Sequence, residues 1–306
     1  MATRLTVDEV KGLYEKISNW GRWGKEDERG ALNYITLQKR AAGAKLAQNG
    51  EIVSLSLPLS TKSGPDNPQP VQHMMLHAGA PGYASLDYFA IAPHGMSFTH
   101  LDALCHVFWQ GKMYNGFSER EVGRFGARKC SIDVTRDGVM SRGVLLDIPK
   151  ARKVDWLEPR DAIFPEDLEA AEKLGASNLH VDEGDVLLIR TGRHKRRAEK
   201  GVWDPRREGL PGLDASCLQW LHDRRIAVLG CDAVSDISPS PYGAEMGLPI
   251  HVGTLVIQGI HLIDNADLEA LSSACERHRR YEFLFTMAPL ILEHGTASPV
   301  NPLALF

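Results

Sequence analysis

An α+β fold is the class this sequence predicts, and three features carry the prediction. Short runs rich in Val, Ile and Leu at 142–148, 185–192 and 225–232 read as strands buried on both faces. Helical periodicity recurs at 165–175, 214–225 and 267–279. The two kinds of element do not follow the regular strand–helix beat that a doubly wound sheet requires. No repeat, low-complexity tract or long linker divides the chain, so a single domain over 1–306 is expected.

Taken in order, the opening MATRLTVDEVKGLYEKI (1–17) is polar and amphipathic. Thr6 can cap a helix there, with Glu9 three residues on completing a capping box. The segment lacks an apolar h-region and is not expected to be a signal peptide. A turn-rich aromatic stretch, NWGRWGKEDERGALNYIT (19–36), leads into a helix near 37–48. EIVSLSLPLS (51–60) alternates like a half-buried strand, and TKSGPDNPQP (61–70) is a loop on its Gly, Pro and Asn content. The helix at 165–175 starts with Pro165, whose missing N–H costs nothing in a first turn, and stops at Gly175.

Composition narrows the function. The 306 residues are 43% hydrophobic and 24% charged, enough for a core without staples. A net charge of -4 gives no support to a nucleic-acid partner. The basic runs RHKRR (193–197) and ERHRR (276–280) are expected to be solvated helix faces or loops. Five scattered cysteines, Cys105, Cys130, Cys217, Cys231 and Cys275, form no CxxC pair and argue against a disulfide framework or a zinc-thiolate site. No apolar run reaches the roughly 18 residues that a membrane span needs. A reduced, cytoplasmic protein of enzyme size is expected.

The chemistry gathers in HGMSFTHLDALCHVF (94–108), where His94, His100, Asp102 and His106 interrupt an apolar stretch. Buried imidazoles and carboxylates are costly without partners. If the stretch is extended, even positions from 94 to 102 share one face. His100 and Asp102 then lie about 7 Å apart at the backbone, within common reach of one ion. His106 lies too far along a straight strand, so the chain must turn after Asp102. Three ordinary polar core residues are the plain alternative, but the H-x-D-x-x-x-H spacing favours a metal, and imidazole plus carboxylate suits Zn or Mn.

The run THLDALCH resembles the signature of the metal-dependent cyclase family, which includes bacterial kynurenine formamidase and isatin hydrolase. That signature reads His-x-Gly-Thr-His-x-Asp-x-Pro-x-His. Further segments follow in family order: GRWGKEDERGALNYIT (21–36, as in the longer-chain members), GDVLLIRTG (184–192), GCDAVSD (230–236), PIHVGTLVIQGIHLIDNADLEAL (249–271) and GTASPVNPLALF (295–306). Thr99, His100, Asp102 and His106 match the signature residue by residue; Met96, Phe98 and Leu104 stand where the family has His, Gly and Pro. His251 matches the family's later histidine, and Asp264 a position often held by glutamate. His94 can replace the ligand missing at Met96 only if Gly95 lets the chain turn back.

The resemblance implies the family's swivelling β/β/α fold, an α+β domain with a mixed sheet and barrel-like core. It implies a divalent ion (Zn or Mn) held by His100 and Asp102, with His94, His106, His251 and Asp264 as further ligands to one ion or two. His106 and His251 are the candidate catalytic groups, and Trp20, Trp23 and Phe98 candidate walls of a substrate pocket. The implied activity is hydrolysis of a C–N bond in an amide, formamide, lactam or cyclic imide. Opening of a lactone by the same ion, and a metal-poor homologue that binds a small ligand without turnover, are the alternatives. Family members are homo-oligomers, so a dimer or tetramer acting on a small cyclic or aromatic molecule is expected, with no nucleic-acid or membrane partner. Cys105 is expected to pack as a small apolar residue. Asp232 and Asp236 are open between supporting the site and capping turns.

Overall fold

The three apolar runs lie side by side as the parallel centre of one sheet. The computed structural model describes residues 4–79, 81–175 and 179–306. The sheet strands are β1 (Ile52–Ser54), β2 (His100–Asp102), β3 (Val139–Asp147), β4 (Val186–Arg190), β5 (Val228–Cys231), β6 (His261–Asp264), β7 (Glu282–Met287), β8 (Ala297–Pro299) and β9 (Leu303–Leu305). Across the sheet they run β1-β9-β7-β3-β4-β5-β6-β2-β8. β3 to β6 are parallel, and the flanking pairs are antiparallel. The sheet is therefore mixed and the fold α+β, as the sequence predicts.

Parallel strands covered on both faces need apolar side chains on both, which is why β4 reads Val-Leu-Leu-Ile-Arg and is buried throughout. Arg190 is tolerated at its end because Asp147 (3.0 Å) and Glu269 (2.7 Å) pair with it.

The helices fall where periodicity puts them, with shorter ends. Val7–Lys16 begins at the Thr6–Glu9 capping box; residues 1–3 of the amphipathic opening lie outside the described residues. Leu37–Ala44, Pro165–Glu172, Cys217–Arg224 and Glu269–His278 follow.

Two expectations need correction, and one element had no expectation at all. The half-buried strand at 51–60 shrinks to edge strand β1, because Pro58 and its neighbours leave the sheet. Beyond the 61–70 loop the chain forms a hairpin, Gln72–Ala78 paired with Ser85–Ala90, exposed along nearly its whole length. The 193–197 run opens a helix, Arg193–Lys200, that is not simply a solvated face. Arg193 is buried, while Lys195, Arg196 and Arg197 pair with Asp155, Glu158 and Asp66.

For function, the decisive feature is the place of β2, clasped between β6 and β8. His100 stands opposite Asp264 and Pro299, and Asp102 opposite Leu262 and Ala297. Cross-strand partners share a face of the sheet, so this register brings the His100, Asp102 and Asp264 side chains together.

Candidate metal centre

β2 supplies His100 and Asp102, both buried, on one face as period-two geometry requires. The segment from 94 to 102 is not one extended strand. It bends at Gly95, whose φ of +146° is a conformation that side-chain-bearing residues rarely adopt. The bend returns His94 to the site, where its Nδ1 lies 3.0 Å from Asp102 Oδ1. After β2 a turn closes from His106 N to Ala103 O (3.0 Å) and carries His106 back over the strand. Its ring stacks on His94 at 3.7 Å between centroids. His251 arrives on the helical segment Pro249–His251, which continues as a π-helix, Val252–Gln258. Such helices are rare and concentrate at functional sites. His251 Nε2 faces Asp264 Oδ2 at 3.5 Å and Asp102 Oδ2 at 3.7 Å. The His106 and His251 rings, 145 residues apart in sequence, come within 6.2 Å.

Two groups of donor atoms result, His94–His100–Asp102 and Asp102–His106–His251, each with its atoms within 4.8 Å of one another. Asp102 belongs to both. Its two carboxylate oxygens and His94 Nδ1 are buried without a hydrogen-bond partner. The 3.0, 3.4, 3.5 and 3.7 Å approaches around Asp102 and His251 are therefore close without being aligned as hydrogen bonds. Ligands about 2.0–2.1 Å from one ion sit roughly 2.9–3.4 Å from each other, near this spacing. Orphaned donors, ligand-like spacing and a set of imidazoles plus carboxylates all fit a divalent cation.

Electrostatics agree. Burial works against charge on His100, but the adjacent Asp102 overcomes it and raises His100 to about 9. Burial likewise opposes charge on His251, yet Asp236 and Asp264 hold its pKa well above the ordinary imidazole value. Burial pushes His106 down to about 4, against the pull of Asp102. Asp102, despite its burial, stays well below the usual carboxylate range because His100, His94 and His106 surround it.

The supporting residues were only partly visible in sequence. Asp236, left open between site support and capping, accepts from His251 Nδ1 at 2.5 Å and from the backbone N–H groups of Ile250 and His251. A carboxylate behind a ligating imidazole fixes its tautomer and its aim. Asp232 instead caps the 193–200 helix, accepting from the N–H groups of Thr191, Gly192 and Arg193. Sequence reading missed Thr296, whose Oγ1 lies 3.0 Å from His94 Nε2, and Ser235, which donates to Asp264 Oδ1. Neither carries a spacing signal. Met96 sits in a satellite cluster with Trp203, Leu210 and Cys231. Cys105 is buried, and burial pushes its thiol up to about 12, which suits packing and not nucleophilic attack.

The expected pocket walls separate. Phe98 and Met96 line a cleft with His94, Asn67 and Arg206. Trp20 lines a different hollow, with Tyr14, Trp109 and Ile257, and its Nε1 donates to Val256 O. Trp23 packs edge-on against Tyr34, a core contact that accounts for it without a substrate.

Residues 53–236 match a family model described as "Putative cyclase", and the chain belongs to this cyclase family. A solved structure of a novel cyclase is 29% identical with a TM-score of 0.84, over 96% of this chain and 99% of that one. Isatin hydrolase A from Ralstonia solanacearum is 20% identical with a TM-score of 0.60, over 88% and 97% of the two chains. A predicted metal-dependent hydrolase from Bacillus stearothermophilus is 16% identical with a TM-score of 0.52, over 84% and 98%. The last two share the fold. No curated protein sequence matches. The mixed sheet is thus the family's swivelling β/β/α arrangement.

Proposed function

We propose that this chain is a metal-dependent hydrolase that breaks a C–N bond in an amide, formamide, lactam or cyclic imide. The observation that carries the reading is Asp102: a fully buried carboxylate with no hydrogen bond, ringed by imidazole nitrogens at ligand spacing. His94, His100 and Asp102 form one donor group, and His106, His251 and Asp264 complete a second around the same carboxylate. A zinc or manganese ion there supplies Lewis-acid polarisation of the carbonyl and a more acidic water. Asp236 keeps the Nδ1 proton of His251, leaving Nε2 to face the site. With an ion in the His94–His100–Asp102 group alone, His106, only partly buried and neutral at physiological pH, takes the proton of the attacking water and returns it to the leaving nitrogen; with the second group also filled, it is a ligand instead. Its low basicity favours the second half of that transfer.

A mostly apolar hollow is lined by Val107 and Val252, the chain neighbours of His106 and His251, together with Phe108, Trp109, Met246 and Leu248, and by Glu245. It suits the ring of a cyclic or aromatic substrate. Isatin hydrolases, which share the fold, support that choice. A homo-oligomer is part of the same reading. Met74, Met75, Leu76, Leu86, Tyr88 and Phe89 stand exposed on the hairpin. A lone two-stranded hairpin is marginal in water, and a second copy would cover it.

The test is metal analysis of the purified protein, followed by hydrolysis of isatin, a formanilide, a cyclic imide and a lactone by parent and Asp102→Ala. The expected result is bound divalent metal and amide turnover in the parent, both lost in the variant. A parent without metal after incubation with Zn or Mn overturns the class. Turnover of the lactone alone overturns the bond assignment.

A further inference from the structure

The bend that makes His94 available is held from outside its own segment. Asn265 Nδ2 donates to Gly95 O (2.8 Å) and Phe98 O (3.2 Å). Arg193 Nη2 donates to Met96 O (2.6 Å), and Arg193 Nη1 to Asn265 Oδ1 (2.6 Å). One guanidinium–amide pair thus grips three carbonyls of the 95–98 loop. Phe98 O also accepts from His100 Nδ1 (2.8 Å), so the same grip reaches a second imidazole. The Thr99 hydroxyl donates back to Asn265 O (2.7 Å) and closes the ring of contacts.

Both members of the pair are themselves fixed. Asn265 is fully buried in a left-handed conformation (φ +56°) that asparagine tolerates better than most residues. Arg193 is buried at the capped start of its helix, where Asp232 and Thr191 accept from its backbone N–H. A buried cation near a cation site works against metal binding through its charge. Its geometry works for it, and the two effects have opposite signs.

We propose that Arg193 and Asn265 are positioning residues for His94, and that their grip on the 95–98 carbonyls is what lets this chain use His94 where Met96 offers no imidazole. The inference rests on the metal reading above. Removing either residue frees the loop, withdraws His94 Nδ1 from Asp102 and weakens the ion's hold.

The experiment is titration of Co(II) alone into chelator-treated full-length protein, read by visible absorption, which reports the ligand set independently of turnover. Parent, Asn265→Ala, Arg193→Met, His94→Ala and the double variant His94→Ala with Asn265→Ala are compared. Loss of outer-shell support costs roughly 10–100-fold in metal affinity. Asn265→Ala and Arg193→Met should each weaken Co(II) binding by that order and shift the absorption bands as His94→Ala does. In the His94→Ala background, Asn265→Ala should weaken binding several-fold less than it does in the parent, the remainder passing through Phe98 O to His100. Arg193→Lys keeps the charge but cannot span Asn265 Oδ1 and Met96 O together; it replaces Arg193→Met if that variant fails to fold. Equal weakening by Asn265→Ala with and without His94 overturns the proposal, because the effect is then general. Tighter binding in Arg193→Met overturns it too, because the charge then outweighs the grip. A parent that binds no Co(II) ends the metal reading itself, and with it this one.

Discussion

Filling both donor groups with divalent ions near pH 7.5 should release close to two protons, one from His100 in the first group and one from His251 in the second. An imidazolium has no lone pair to offer, so any proton on a ligand must leave when the ion enters. Asp102 raises His100 to about 9 against the effect of burial, so His100 is almost wholly charged at that pH. Asp236 and Asp264 put His251 well above the ordinary range. His106, pushed down to about 4 by burial, has no proton to give. Taking the proton from a group at about 9 when the solution is at pH 7.5 costs about 2 kcal/mol at 1.36 kcal/mol per unit, which an entering ion must overcome.

Isothermal titration of zinc into chelator-treated protein, repeated in buffers of different ionisation enthalpy, counts these protons from the slope of heat against buffer enthalpy. Apparent affinity should also climb with pH, about tenfold per unit for each proton released, until His100 loses its own proton near 9. Stability of the metal-free protein should move the other way. A folded-state pKa raised above 6.5 gives stability that is complete below 6.5 and fades as pH passes through about 9. A release of less than half a proton, or affinity that falls as pH rises from 6 to 8, would refute the arrangement of charge argued here.

Other outcomes follow from single contacts. Met96→His, which restores the family's usual residue, should leave zinc affinity within a fewfold, because His94 already stands 3.0 Å from Asp102; a large gain by titration would show His94 to be no ligand. Asp236→Asn should weaken metal binding by roughly 10–100-fold through the lost hold on His251 Nδ1, read by chelator competition. Cys105 should resist iodoacetamide at pH 7.5, since its thiol is pushed up to about 12, and Cys105→Ser should keep its turnover. Gly253→Ala would set a Cβ 2.5 Å from Leu218 side-chain atoms behind the π-helix, and overpacking of that kind should cost about 1–3 kcal/mol in denaturant unfolding.

How much of the fold was legible depends on how much each strand buries. β3, β4 and β5 announce themselves because both faces are covered where they run parallel, leaving short runs of Val, Ile and Leu such as Val144–Leu146 and Val186–Ile189. β2, β8 and β9 have three residues each, too few for any periodicity to show, and exist because longer neighbours pair with them. The 72–90 hairpin is exposed on both faces, so its sequence carries no alternation to read.

The site divides along the same physical line. His100 and Asp102 could be placed together from the sequence because two residues on one strand must share a face, whatever surrounds them. His94 could not, because glycine at 95 allows many conformations and selects none. What selects this one are contacts that no local pattern encodes: Asn265 on Gly95 O, 170 positions away, and Arg193 on Met96 O, 97 positions away. The same distance hid Thr296 behind His94, across 202 positions. Asp236 illustrates the intermediate case. Its place after a buried strand suits a turn, a cap or a support, and only the 2.5 Å approach to His251 Nδ1 picks out the last. A ligand motif can therefore be read wherever backbone period alone aligns its donors. Where a ligand depends on a bend, the deciding residues lie on other strands and helices, and the fold has to be known before the donor can be counted.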